Sequence, residues 1–296
     1  MRTWAISNQK GGVGKTTTTV ALGSLLAAAG SRTLLIDMDP HASLSGYIGV
    51  EGGAHGSVYD LFGVGSTATP VRTLVHATQW NNLSVLPASA AMITLDRQLG
   101  TRPGMGLVLS QALAEIAADF EHVLLDCPPT LGVLMVNALA ASDRLLVPTQ
   151  TEALALAGLE RMLRSLSMIE RSRGRPLPKT IVPTMFDART HASRACLDQL
   201  REQYGDAVSA AVIPTDTQIR EASAAGVPLA SWPAARRGGL AYRQLLDELL
   251  AGPPAAVVAE VSVVAPAASG PVAVGSTAPG SVTSRPATPS ARDAAA

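Results

Sequence analysis

Aromatic residues are scarce in this chain of 296 residues, where Phe, Trp and Tyr together make up 3% of the sequence. A surface that stacks the bases of single-stranded nucleic acid needs several aromatic side chains, so this class of binding is excluded. The two cysteines, Cys127 and Cys196, are too few for a disulfide framework or a self-contained zinc site. The formal charge is +0, so any contact with DNA or an anionic membrane must be local.

Long apolar runs are also missing. No uncharged stretch reaches the roughly 18–20 residues that span a bilayer, and residues 1–7 do not resemble a signal peptide. The sequence therefore predicts a cytoplasmic protein. From residue 252 onward Ala, Pro, Ser, Val and Gly dominate and charge nearly disappears, which predicts a folded domain over 1–251 and a disordered tail over 252–296 without a stable membrane anchor.

Ahead of the tail, short β-branched or Leu-rich runs alternate with longer Ala/Leu segments at helical spacing. This alternation is typical of α/β proteins with a doubly wound, mostly parallel sheet flanked by helices. The predicted strands are residues 2–7, 33–37, 122–126, 144–148, 180–184 and 208–213. The predicted helices are 15–29, 106–119, 154–172, 191–203, 216–225 and 239–251, with a further short helix near 57–63. The rest of 50–100 is poorly periodic and yields no prediction.

The strongest functional signal is a glycine-rich run between the first strand and the first helix. Its residues are Lys10, Gly11, Gly12, Val13, Gly14, Lys15, Thr16 and Thr17. Glycines let backbone N–H groups turn inward around phosphate oxygens, and the helix N-terminus adds its dipole. Lys15 can reach the β- and γ-phosphates, while the Thr16 hydroxyl can ligate Mg²⁺. The run predicts a P-loop site for a nucleoside triphosphate.

This loop departs from the usual GxxxxGK[ST] pattern, because Gln9 stands where that pattern has its first glycine. It also carries an extra lysine at its start, Lys10. Two of the chain's three lysines lie in the loop, and a compact ammonium group suits a phosphate better than a planar guanidinium. We therefore expect Lys10 to approach phosphate charge from a second direction.

Three carboxylates accompany the loop. Asp37 ends one predicted strand and is followed by Asp39, and Asp126 ends another. Open α/β sheets bind their ligands at the carboxyl edge of the strands, where these side chains would meet. We predict that Asp39 orients an attacking water and that Asp37, Asp126 and Thr16 form the magnesium site, with Asp126 acting through water.

At these motifs the sequence resembles the ParA/MinD family of P-loop ATPases, over residues 3–250. The matching segments are KGGVGKTT at 10–17, LLIDMDP at 34–40, LLDCPPTLG at 124–132, LLVPTQTEALALAGL at 145–159, MFDART at 185–190 and VIP at 212–214. The resemblance implies an ATP-dependent homodimer that separates after hydrolysis. It also implies that Lys10 crosses the dimer interface to the ATP of the partner subunit.

The same resemblance assigns further roles to single residues. It places Asp39 on the residue needed for hydrolysis and Asp126 on the Walker B carboxylate. Thr184, Pro214 and Asp216 fall on segments that enclose the adenine. The implied activity is slow ATP hydrolysis that a partner protein stimulates.

Several segments resemble the ParC type within this family. They include Trp4 to Gln9, Asp39 to His41, and residues 131–142. This type, the ATPase of chemotaxis gene clusters, positions chemoreceptor arrays at the cell pole with its partner ParP. The resemblance therefore implies that the cargo is a polar chemotaxis array and that the partner is ParP-like.

Two other functions remain open. The first is a partition ATPase on nucleoid DNA, which in this family carries arginines in an IPRNVRLSEA-like segment. Here Thr215 and Gln218 replace those arginines, and Arg220 is displaced by two positions, which argues against DNA binding by that surface. A separate basic run could contact DNA instead: Arg161, Arg164, Arg171, Arg173, Arg175 and Lys179. The second function is a metabolic P-loop phosphotransferase.

Overall fold

A computed structural model describes residues 1–50, 52, 56–64, 67–99, 104–234 and 236–252. All but the first residue of the predicted tail lies outside the described residues, so that part of the domain prediction stays a prediction. The last helix ends at Ala251, where the sequence predicts the end of the folded domain. Within the described ranges no helix is long and apolar enough to cross a membrane.

The centre of the fold is a seven-stranded sheet. Its strands are β1 (Arg2–Ile6), β2 (Thr33–Asp37), β3 (His76–Ala77), β4 (Leu83–Leu86), β5 (His122–Asp126), β6 (Arg144–Gln150) and β7 (Lys179–Thr184). They lie in the order β3-β4-β2-β5-β1-β6-β7, and all neighbours are parallel except β3 and β4. The expected doubly wound α/β architecture is confirmed.

Helices cover both faces of this sheet. They are α1 (Lys15–Ala28), α2 (Ser43–Ile48), α3 (Val71–Leu74), α4 (Leu95–Leu99), α5 (Val108–Glu115), α6 (Val133–Ala141), α7 (Ala153–Arg173), α8 (His191–Tyr204), α9 (Thr217–Ala224) and α10 (Arg236–Ala251). Alternate strand residues belong to opposite cores: Val123 and Leu125 pack in the core that includes α5 to α8, and Leu124 packs in the core with α1 and α10. Burial on both faces explains why these strands are continuous apolar runs.

Five of the six predicted strands are confirmed, but the strand at 208–213 is wrong. That segment forms a single bridge, between Val208 and Ile181, beside the edge strand β7. The reason is competition from side chains, because the N–H of Ala211 is bonded by the Ser209 hydroxyl and the Glu248 carboxylate. These bonds replace the regular ladder that a strand would need.

The helix predictions fail mainly at their ends and in the poorly periodic region. The predicted helix 106–119 is shorter: a 3₁₀ turn over Met105–Leu107 precedes α5, which ends at Glu115. The helix near 57–63 is a 3₁₀ turn over Val58–Phe62. Sequence analysis missed strands β3 and β4 and helices α2, α3, α4 and α6. The N-terminus of α6 depends on a distant residue, since the Val133 N–H donates to the Asp96 carboxylate.

Helix α1 approaches β2 so closely that a glycine is required at their contact. An ideal Cβ on Gly23 would lie 2.4 Å from Cδ2 of the fully buried Leu35. Overpacking costs about 1–3 kcal/mol, which exceeds the gain of about 1 kcal/mol from replacing a helical glycine with alanine. We therefore expect Gly23→Ala to lower the free energy of unfolding by up to about 2 kcal/mol, measured by urea titration of the full chain.

Gly46 in α2 provides the matched control. An ideal Cβ there meets no atom within 4 Å, so Gly46→Ala should raise the unfolding free energy by up to about 1 kcal/mol. Equal effects of the two substitutions would contradict the proposed close packing of α1 on Leu35.

Candidate functional site

The glycine-rich run lies at the carboxyl edge of the sheet, between the end of β1 and the start of α1. Parallel register brings the carboxylates to the same edge, because Asp126 is paired with Ile6 on one side and with Asp37 on the other. Asn8, which the motif analysis did not assign, fixes the start of the loop. Its side-chain oxygen accepts from the Lys10 N–H at 3.0 Å, and its amide donates to the Pro148 carbonyl at 2.8 Å.

The loop is built for close approach of a ligand to its backbone. Gly12 and Gly14 have φ values of +73° and +92°, in the left-handed region that favours glycine. An ideal Cβ on Gly11, Gly12 or Gly14 meets no atom within 4 Å, so the space in front of the loop is open. The backbone N–H groups and the N-terminus of α1 together can hold a phosphate chain there.

Two side chains of the loop turn toward its interior. The buried Lys15 directs its ammonium back across the loop and donates to the carbonyl of Lys10 at 3.3 Å. The Thr16 hydroxyl donates to Oδ2 of Asp126 at 2.6 Å. The predicted lysine, threonine and Walker B carboxylate are therefore brought together.

Asp126 is fully buried in a negative environment. Burial and the nearby Asp37 raise the pKa of Asp126 to about 8, although Thr16 and Lys15 act in the opposite direction. Its second oxygen, Oδ1, is buried and has no hydrogen-bond partner among the described residues. A cation at this point would supply the missing partner and favour the charged carboxylate.

Asp37 is also buried, and burial raises its pKa to about 6. Unlike in Asp126, both carboxylate oxygens accept hydrogen bonds from the protein. Oδ1 accepts from the Asp39 N–H at 3.1 Å, and Oδ2 accepts from the N–H and hydroxyl of Ser45 at 2.8 and 2.7 Å. Asp37 therefore holds the loop after β2 in place. Its contribution to the predicted magnesium site is negative charge at close range.

These residues fit a magnesium ion bound together with a nucleotide. The described residues contain no cluster of three or more His, Cys, Asp or Glu side chains that would hold a metal by itself. Mg²⁺ typically keeps several waters and takes few protein ligands beside the substrate phosphates. Thr16 and Asp126 would form such a sparse set.

Asp39 lies on the loop between β2 and α2. Its Oδ1 accepts from the backbone N–H of His41 at 3.0 Å and lies 2.7 Å from Nδ1 of the same residue. The carboxylate is 14% exposed and the imidazole 76% exposed. Because the Asp39 N–H donates to Asp37, the structure places Asp39 beside the predicted metal site, and its carboxylate contacts a solvent-exposed partner.

A cavity of about 360 Å³ extends from the loop toward α9. It is lined by the predicted adenine residues Thr184, Pro214 and Asp216, together with several apolar side chains. Thr184 also fixes the loop, because its hydroxyl donates to the Val13 carbonyl at 3.0 Å. Asp216 caps α9, with Oδ1 accepting from the Gln218 N–H at 3.0 Å. Tyr242, which sequence analysis missed, forms part of the cavity wall.

Lys10 does not line this cavity. Its ammonium donates to Oε1 of Gln150 and to Oε2 of Glu152, the latter at 3.2 Å. Its side chain is 30% exposed. The two lysines of the loop thus point to different places, Lys15 into its own loop and Lys10 toward the surface beside β6 and α7.

The raised pKa of Asp126 predicts how stability depends on pH without metal. A carboxyl with a raised folded-state pKa binds more protons in the folded than in the unfolded state. The folded protein therefore loses stability as the pH rises from about 4 toward 8. In EDTA at pH 8 we expect Asp126→Asn to be more stable than wild type by more than about 1 kcal/mol. The difference should shrink at pH 5, as measured by urea unfolding.

Asp247→Asn is the control for this experiment, because Asp247 is an exposed carboxylate on α10. Its substitution should change stability by less than about 0.5 kcal/mol at either pH. If wild type and Asp126→Asn were equally stable at pH 8, Asp126 would not carry an unfavourable buried charge.

Comparisons with known proteins agree with this geometry. A family model described as an AAA domain matches residues 1–177. The chromosome partitioning protein ParA of Caulobacter vibrioides is 39% identical over 256 residues, covering 84% of this chain and 94% of that protein. The sporulation initiation inhibitor protein Soj of Bacillus subtilis is 34% identical over 249 residues, covering 83% and 97%.

Solved structures share this fold. Cobyrinic acid a,c-diamide synthase from Mycobacterium smegmatis, with bound ATP analog and magnesium, is 33% identical with a TM-score of 0.73, covering 84% of this chain and 94% of that one. Apo McdA from Cyanothece has a TM-score of 0.74 at 21% identity, covering 83% and 99%, and shows the fold alone. With a P-loop of this geometry and such identity over nearly the full length of ParA and Soj, the chain belongs to the ParA/Soj family of P-loop ATPases.

Proposed function

We propose that this chain is a Mg²⁺-ATP-dependent dimerising ATPase that positions a cellular cargo. The position of Lys10 is the observation that carries the proposal. Lys15 already supplies an ammonium to the interior of the loop, whereas Lys10 lies at the rim and contacts Gln150 and Glu152. An ammonium at the rim is suited to the phosphates of a nucleotide in a second subunit.

The roles of the other residues follow from their contacts. The loop amides and Lys15 bind the β- and γ-phosphates, and Thr16 and Asp126 hold the metal. Mg²⁺ supplies charge neutralisation at the phosphates, as in other P-loop proteins. Asp39 orients the attacking water. Because its carboxylate is engaged by His41, we expect slow basal hydrolysis that a partner protein accelerates.

We propose that the cargo is DNA and that the chain acts in chromosome or plasmid partition. The support is the comparison with ParA and Soj, whose names describe chromosome partitioning and sporulation control. The DNA-contacting surface would be the basic run on and after α7, where Arg161, Arg171 and Arg175 are exposed. Arg164 contributes less, since it lies 3.7 Å from Glu160.

The second candidate is positioning of polar chemotaxis arrays through a ParP-like partner, as the sequence resemblance implies. One observation favours it. The residues that replace the expected DNA-contacting arginines are hydrogen-bonded to other groups of the protein: the Thr215 hydroxyl donates to the Met185 carbonyl at 3.0 Å, and Gln218 bonds Trp232 and Glu221. That surface therefore presents no cation at either position.

Dimerisation provides the first test. Asp39→Ala, which keeps the nucleotide site but removes the group that orients water, should form a stable dimer with Mg²⁺-ATP and remain monomeric with ADP. Adding Lys10→Ala should abolish the dimer while leaving ATP affinity within about 3-fold, because Lys10 contacts the partner subunit's nucleotide. Light scattering after size exclusion measures the dimer, and calorimetry measures the affinity.

The control is Lys179→Ala, which removes the chain's only lysine outside the loop. It should leave the dimer intact. A Lys10→Ala protein that still dimerised with ATP, or a wild-type chain that did not bind ATP, would refute the proposed function.

DNA binding distinguishes the two cargoes. The Asp39→Ala dimer should bind non-specific duplex DNA with ATP but not with ADP, and its affinity should fall steeply between about 50 and 200 mM salt because counterions are released. Replacing Arg161, Arg171 and Arg175 by alanine should weaken binding at least about 10-fold, while Arg194→Ala on α8 should not. Absence of DNA binding by a confirmed dimer would overturn the partition proposal and favour the chemotaxis candidate.

A further inference from the structure

The cavity beside the loop is positioned to receive the nucleoside end of the nucleotide. Three loop residues line it, namely Val13, Gly14 and Thr17, whereas neither loop lysine does. The metal-binding pair, Thr16 and Asp126, is also outside the lining. A triphosphate held by Lys15 and the metal would therefore lie at the loop, with the base and ribose extending into the cavity.

Charge in the cavity lining is limited to two side chains, Asp216 and Arg220. Asp216 is already committed to the protein: Oδ1 accepts from the Gln218 N–H at 3.0 Å, and Oδ2 accepts from the Gly238 N–H at 3.1 Å. Both oxygens of this carboxylate thus stabilise the junction of α9 with α10. Arg220 is the charged group that remains available to a ligand.

Arg220 lies on α9 next to the apolar Ile219, and it shares the cavity wall with Ser223 one turn later. The side chain is exposed, and it makes no hydrogen bond or ion pair with the residues that the structure describes. Its charged neighbours, in contrast, are hydrogen-bonded: Glu221 accepts from Gln218, and Arg237 donates to the Thr215 carbonyl. The guanidinium of Arg220 can therefore contact a bound molecule without breaking a described contact.

A guanidinium has the right chemistry for the nucleoside end. It is planar and weakly hydrated, and it stacks on aromatic rings. The rest of the lining offers mainly apolar contact, from Ile213, Pro214 and Ile219. Such a wall suits the face of a purine ring.

We infer that Arg220 is a nucleotide-binding residue that stacks on the base and increases the affinity for purine nucleotides. The inference rests on the proposed function, because it takes ATP as the occupant of the cavity. It assigns Arg220 a role different from that of a displaced DNA-contacting arginine, since the side chain lines the nucleotide cavity.

The experiment compares wild type, Arg220→Ala and Arg220→Lys as full chains. Each is titrated with ATP, ADP and inorganic tripolyphosphate in the presence of Mg²⁺. Arg220→Ala should weaken the binding of ATP and ADP about 3- to 10-fold, because the stacking contact with the base is lost. The affinity for tripolyphosphate should not change, because this ligand has no base. Arg220→Lys should recover part of the loss at most, since lysine keeps the charge but not the planar group.

Arg194→Ala is the matched control, an exposed arginine on α8 outside the cavity lining, and it should bind all three ligands like wild type. Unchanged ATP affinity in both Arg220 variants would overturn the inference. An equal loss for tripolyphosphate would also overturn it, because that result would indicate a phosphate contact. If wild type itself bound none of the ligands, the proposed function would fail first.

Discussion

The site depends on the parallel register of three adjacent strands. Because β5 lies between β1 and β2, with Asp126 paired to both Ile6 and Asp37, the phosphate loop and two carboxylates end at the same edge of the sheet. This register is held by apolar side chains that alternate between two cores. A slip of one residue would exchange the cores and move Asp126 away from Thr16.

The register also creates an electrostatic cost at the centre of the site. Asp37 and Asp126 are both buried, and burial raises the pKa of each. Asp37 is stabilised by Ser45, while one oxygen of Asp126 has no partner among the described residues. The two buried carboxylates therefore lower the stability of the protein without a cation. The same arrangement becomes favourable once a cation neutralises their charge.

Two cations at the periphery complement this negative centre. Lys10 and Arg220 lie on different sides of the loop, one beside β6 and α7 and the other on α9. Neither belongs to the part of the site that holds the β- and γ-phosphates. In the proposed function, nucleotide binding within a subunit is thus separate from its detection by a second one.

The sequence by itself determined the loop, its lysines, the three carboxylates and five of the strands, because these signals are local: glycine spacing, apolar runs and a terminal aspartate. Tertiary structure decided the rest. The segment 208–213 is not a strand because Glu248, far along the chain, bonds its N–H groups, and α6 begins where Asp96 caps it. The roles of Asp37 and Arg220 likewise depend on neighbours that only folding brings together, which no local pattern contains.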